Sequence, residues 1–227
     1  MTPSGAGDAP GPEGGRRPRM TQRRLLVFLE RGLFAAGFAC LAYWGAGTAY
    51  AHWASAAASR RLDLLAAAAP RSGRPPAPPR TGDPLGRVDI PRVGVSTVVV
   101  EGDDDLTLSF AAGHIPGTAL PGEPGNAALA GHRDGVFRGL ARIRRGDLVS
   151  LTTPAGTFRY AVESLRVVKP EDTWVLRPTR RPTLTLVTCY PFRYIGPAPK
   201  RFIVRALLVG PAAERVGGPG PRRPGAG

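Results

Sequence analysis

Few side chains in this sequence can do covalent chemistry. Among 227 residues there are two cysteines, Cys40 and Cys189, and three histidines, His52, His114 and His132. A cysteine is nucleophilic as its thiolate, and a nearby imidazole can hold that thiolate and then protonate a leaving amine. Cys189 closes the run TLTLVT and precedes Tyr190-Pro191-Phe192, where proline stops a strand. A thiol at a strand end can open onto a surface cleft. A lone cysteine is as often a small buried hydrophobe, so position alone leaves both readings open. His114, in AAGHIPGT, and His132, in LAGHRDGVF, each follow a glycine after an apolar run. Spacing does not decide which of them would serve the thiol.

An acyl-transfer site also needs a donor for the developing oxyanion. Arg193, Lys200, Arg201 and Arg205 all follow Cys189. If Cys189 ends one strand and residue 201 begins the next, Arg201 can point back into the same cleft. Thr188 sets a hydroxyl beside the thiol. For any one of these arginines the plain alternative is a solvated surface charge. Metal and nucleotide chemistry have no foothold. Asp103-Asp104-Asp105 lacks the alternating ligand spacing of a calcium loop and suits a helix N-cap. No zinc spacing, P-loop or strand-linked G-x-G-x-x-G occurs. No metal or cofactor is expected.

The elements that must position these residues are strands. From Leu85 to Val209 the sequence shows short β-rich runs bounded by turn residues. They are Arg87–Ile90, Val95–Val100, Ala127–Ala130, Asp147–Thr153, Thr157–Val168, Thr183–Thr188 and Phe202–Val209. Pro154-Ala155-Gly156 between two of them is a hairpin signature. Helical patterning is short, at Asp104–Ala112 and Val136–Leu140. Seven or eight strands at this spacing point to an all-β barrel or sandwich.

Glycine (30) and proline (25) are abundant but clustered at 1–20, 70–84 and 210–227. The chain therefore divides into an N-terminal disordered basic tail over 1–31, an apolar segment over 32–58 and a Pro-rich stalk over 59–84. A folded body over 85–209 and a disordered C-terminal tail over 210–227 follow. Leu33 to Ala51 carries no charge, and with Gly32 it reaches the roughly 20 residues that span a bilayer core. Six arginines precede it and only Arg60 and Arg61 follow closely. The positive-inside rule predicts a single-pass membrane anchor with a cytoplasmic N-terminus and an extracytoplasmic body. Ala49-Tyr50-Ala51 also matches a signal-peptidase pattern, and either way the body is exported. Cys40 lies inside this segment and cannot pair with Cys189. The formal charge is +14, with 31 basic against 17 acidic residues. Much of that excess lies in the tails. No basic stripe interleaved with aromatics appears, so no nucleic-acid partner is expected.

Taken together, TLTLVTCYPFRYIGPAPKRFIVRA (Thr183–Ala206), NAALAGHRDGVFRGL (Asn126–Leu140) and the upstream GHIPGTALPGEPGN resemble the signatures of the sortases. The YPF…G.APKRFIVRA form is most similar to class D, and the likeness covers about residues 85–209. The resemblance implies a closed eight-stranded β-barrel and a membrane-anchored cysteine transpeptidase. It further implies partners: exported proteins bearing an LPxTG-like C-terminal sorting signal, and an amine acceptor on a cell-wall peptide or a pilin lysine. Matched by motif, Cys189 would be the nucleophile, His132 the acid/base and Arg201 the substrate and oxyanion partner. Thr188 and Tyr190 would be supporting residues, and His114 structural or one layer removed from the reaction. Asp83-Pro84-Leu85 only loosely echoes the lid motif of class C, lacking its aromatic. Two other readings stay open: a non-catalytic exported β-domain binding polymer or protein, and a thiol peptidase releasing its acyl group to water.

Overall fold

Residues 22–68 and 78–213 are described by a computed structural model of the chain. Of the tails predicted at 1–31 and 210–227, residues 1–21 and 214–227 lie outside the described residues, as do 69–77 of the predicted stalk; 22–31 are helical and 210–213 are strand, so the tails are shorter than expected.

The β-branched runs become strands because their side chains suit a pleated, half-buried surface. Eight strands form in chain order: β1 (Pro84–Ile90), β2 (Val95–Glu101), β3 (Ala112–His114), β4 (Asn126–Ala130), β5 (Leu148–Thr153), β6 (Gly156–Val168), β7 (Thr183–Tyr190) and β8 (Lys200–Ala213). They close into a barrel in the order β1-β2-β3-β4-β7-β8-β6-β5. The pairs β2–β3 and β4–β7 are parallel and the others antiparallel. The all-β expectation therefore resolves to a closed eight-stranded barrel rather than a sandwich. Closure gives every strand a hydrogen-bonded neighbour on each side.

Alternation decides what faces inward. Along β1 burial repeats every second residue, sending Val88 and Ile90 into the core. Leu184 and Leu186 of β7 join them with Leu129, Leu151 and Val204. Burying each of these leucines contributes about 2–3 kcal/mol. Because Leu184 and Leu186 point inward, Cys189 belongs to the opposite, outward-facing set of β7. The helix expected over Asp104–Ala112 forms only as a short turn behind its predicted cap, and Ala112 belongs to β3 instead. The Asp104 carboxylate accepts the Thr107 amide at 3.1 Å at the start of α2 (Asp105–Leu108), and this hydrogen bonding with Thr107 holds its carboxyl below the usual carboxylate range.

Ahead of the barrel, α1 runs from Gln22 to Ala68. It is the one helix among the described residues that is long and apolar enough to cross a membrane. Leu33, Phe34, Phe38 and Trp44 are exposed along it. The helix continues ten residues into the segment where the sequence suggests a stalk. Towards the C-terminal end of α1, Ala54 and Leu62 are buried, and Ala58 packs against Val98, Val100 and Ala111 on the barrel wall. Arg87 donates to Ser59 Oγ at 2.9 Å, and Arg61 pairs with Asp83 at 2.9 Å.

Candidate active site

The parallel pairing of β4 with β7 does most of the positioning. Asn126 pairs with Thr183, and the register runs without a slip to Ala130 with Val187. Two further steps along each strand bring His132 level with Cys189. Two hydrogen bonds carry the pairing past the end of β4: Gly131 N–H donates to Val187 O at 3.1 Å, and Thr188 Oγ donates to Gly131 O at 2.7 Å. On the other side, antiparallel β7–β8 pairing sets Cys189 directly opposite Arg201. Cys189 and Arg201 thus stand opposite each other on β7 and β8, and His132, two residues past the end of β4, extends them to a row His132–Cys189–Arg201 by continuation of the register. All three are half-buried. No hydrogen bond joins the His132 ring to Cys189 among the described residues. Such bonds commonly tighten only once substrate is bound.

The turn after β4 is held tightly. A side chain at Gly131 would place its Cβ 2.6 Å from the buried Phe137 ring, so only glycine lets that ring cover the backbone. His132 O accepts the amides of Phe137 at 3.1 Å and Gly135 at 3.3 Å, curling residues 132–137 into a compact turn. Arg133 then ties this turn to the loop that follows Cys189. Its guanidinium donates to Pro191 O at 2.9 Å, Tyr194 O at 2.9 Å and Gly196 O at 3.1 Å, and lies over the Tyr194 ring. Sequence reasoning passed over Arg133. The available signal was its place directly after a candidate histidine, in a loop with no acidic partner at helical spacing.

The remaining predicted residues fall into distinct settings. Thr188 is buried and spends its hydroxyl on Gly131 O, so it fastens β7 to the turn that carries His132. Tyr190 joins an aromatic group with Phe192 and Phe202, its ring stacked on Phe202 at 6.2 Å. A cis peptide bond joins Tyr190 to Pro191. Arg201 Nη1 donates to Ala198 O at 3.3 Å and Lys200 O at 3.2 Å, holding the guanidinium at the mouth of the β7–β8 loop. His114 is elsewhere: on β3 it pairs with Leu129, three residues before His132. Its Nδ1 lies 2.7 Å from Glu101 Oε2 in a buried hydrogen-bonded pair, and Nε2–H donates to Ala119 O at 2.9 Å. Cys40 lies on α1, well outside this row in sequence, and is a free thiol like Cys189.

A brace stands beside the His132 turn. Arg92, in the short helical turn Pro91–Val93, donates to both Asp147 carboxylate oxygens and to Arg142 O. Hydrogen bonding from the Arg92 guanidinium holds the Asp147 carboxyl below the usual carboxylate range. Among the described residues no group of side chains is arranged to hold a metal ion.

Residues 88–209 match the family model for the sortase domain, which is more than half of the sequence. The chain belongs to the sortase family. It is 37% identical over 127 residues to sortase D of Bacillus subtilis (strain 168), a match covering 56% of this chain and 64% of that protein. It is 30% identical over 135 residues to sortase A of Bacillus anthracis, covering 58% and 62%. The chain thus spans just under two thirds of the length of these relatives. Among solved structures, a Clostridium perfringens sortase D5 transpeptidase superposes with a TM-score of 0.54 at 36% identity, covering 59% of this chain and 83% of that one. Sortase C1 of Streptococcus agalactiae gives 0.53 at 29% identity, covering 56% and 68%. Class D sortases are thus among the relatives of this sortase, in keeping with the motifs around Cys189.

Proposed function

We propose that this sortase is a membrane-tethered cysteine transpeptidase working outside the cytoplasm. Residues 32–58 would anchor it, 1–31 would lie in the cytoplasm, and 59–84 would lead to a catalytic barrel over 85–209. The observation that carries the reading is the row His132–Cys189–Arg201 on the outward face of three adjoining strands. A nucleophile, an acid/base and a bidentate cation arranged this way suit acyl transfer and little else.

In the first step the Cys189 thiolate attacks the threonyl carbonyl of an LPxTG-like sorting signal. A C–S bond forms, and the oxyanion draws on the Arg201 guanidinium. Collapse breaks the C–N bond, His132 gives its proton to the departing amine, and a thioester remains. An acceptor amine on a cell-wall peptide or a pilin lysine then loses a proton to His132 and attacks the thioester. An amide forms and the thiolate leaves. The acid of the first step is the base of the second, as reversibility requires. Arg133 and Thr188 act through position: one fixes the loop after Cys189, the other the turn bearing His132.

Intact-mass measurement of the protein mixed with an LPxTG-type peptide tests this directly. Cys189→Ala is expected to give no acyl adduct, and continued cleavage by that variant would overturn the assignment. Arg201→Lys is expected to lose about 100-fold in kcat/KM, because the ammonium cannot supply two parallel donors to a developing oxyanion. Wild-type rates there would reduce Arg201 to a surface charge. Comparing products with and without an added amine separates transpeptidation from release to water.

A further inference from the structure

Concave surfaces of opposite character flank the row. Val168 pairs with Arg201, so the order across the sheet continues past Arg201 to β6. On that side the hollow is lined by Lys169, Glu171, Asp172 and Lys200 with two prolines, a balanced set of charges. On the His132 side a cleft of about 690 Å³ is lined by Val93, Gly94, much of the turn from Arg133 to Arg142, Phe192 and Arg193. Four arginines line it, Arg133, Arg138, Arg142 and Arg193, against the single acid Asp134.

Not all four are available. Arg133 is committed to the three carbonyls of the β7–β8 loop, and Arg142 donates to Val93 O at 3.2 Å. Arg138 and Arg193 are exposed, and among the described residues neither side chain is held by an ion pair or hydrogen bond. Arg138 rises from a firm base. Arg92 bonds both Asp147 and Arg142 O, and a Cβ at Gly139 would stand 2.5 Å from Val93 O, so the helical turn Arg138–Arg142 sits hard against Pro91–Val93.

We propose that this cleft receives the acceptor amine and selects one that carries its own carboxylate. The inference rests on the transpeptidase reading above. His132 protonates the departing amine and deprotonates the incoming one, so the acceptor must reach the thioester from the His132 side, where the cleft wall is His132's own turn. Two unpaired guanidiniums there match a carboxylate, which takes paired N–H donors in its plane. The transfer itself is balanced as before: the acceptor nitrogen bonds the acyl carbon, the C–S bond breaks, and the nitrogen's proton ends on the His132–Cys189 pair. The carboxylate is only held; it takes no part in bond making.

The test uses the full chain in detergent micelles, acylated with an LPxTG-type peptide. Two acceptors are compared, Nα-acetyl-lysine and its carboxamide, which share the same reacting ε-amine and differ in the carboxylate. The wild type is expected to favour the carboxylate on the order of tenfold in kcat/KM, with the preference shrinking as salt rises. The double substitution Arg138→Gln and Arg193→Gln should bring the ratio close to one. The two single variants, each expected to lose part of the preference, serve if the double variant fails to fold. Equal use of both acceptors by the wild type, or an undiminished preference in the variants, would overturn the proposal. A thioester that forms and is resolved without discrimination strikes at the cleft alone. No thioester with any LPxTG-type peptide strikes at the transpeptidase reading and takes this inference with it.

Discussion

His114 and His132 look alike in the sequence and have opposite surroundings in the fold. Each follows a glycine at the end of an apolar run. His114 is 2% exposed, with both ring nitrogens engaged by Glu101 and Ala119. His132 stands where β4 gives way to a turn, half-buried and level with a half-buried thiol. A ring with both nitrogens committed inside a barrel wall can join strands but cannot pass protons to a substrate. A ring at a strand end, beside a thiol and a cleft, can do so with little rearrangement. The difference lies in what the backbone does after the glycine: β3 delivers His114 into a pocket closed by residues 115–119, whereas Gly131 and Phe137 turn the chain outward.

The contrast breaks first at His132. His132→Ala is expected to lower acylation of Cys189 by about 1,000-fold, the scale of a lost acid/base, with an unchanged thermal midpoint. Full activity in that variant would erase the distinction between the histidines. His114→Ala should show the converse, a loss of about 3 kcal/mol in denaturant unfolding, because a buried carboxylate loses its partner. Its folded fraction should keep most of the wild-type kcat. A large fall in kcat without loss of stability would mean that His114 shares in the reaction.

The smallest expected effect probes the brace beside the His132 turn. Asp147 has a folded-state pKa below its unfolded value, so its contribution to stability is present above the ordinary carboxylate range and fades as pH falls through the lower folded value. Thermal midpoints of the wild type and Asp147→Asn should differ by a few degrees between about pH 5 and 8, and the gap should close as pH falls through the lowered folded-state value. A gap that persists at the acid end would show that shape, not charge, holds the two turns together.

Most of the barrel was legible because its strands are rich in valine, isoleucine and threonine and are marked off by glycine and proline. β3 was not. Ala112-Gly113-His114 has no β-branched residue, and its strand character comes from lying between β2 and β4, which supply the pairing. The end of α1 was misplaced for a related reason. Alanines and arginines near residue 60 look like the start of a stalk until Ala58 and Leu62 are seen to have a wall to cover. At the site, the types Cys, His and Arg were readable, and so was a cysteine at a strand end. Which histidine faced it was not readable from spacing, since that depends on β4 lying parallel to β7. Arg133 escaped notice because its partners are backbone carbonyls, which leave no mark in side-chain patterns.

The parallel pairing of β4 and β7 also governs how this sortase can change over evolutionary time. The segment between the two strands, residues 131–182, can gain or lose length and still return β7 to the same alignment. The strands have no such freedom. One residue inserted between Asn126 and His132 would turn the imidazole from the outward face to the barrel interior and set it a step away from the thiol. Diversity among such proteins should therefore gather in the intervening loops, including the arginine-lined turn, while insertions and deletions stay out of the two strands that set the register of His132 and Cys189.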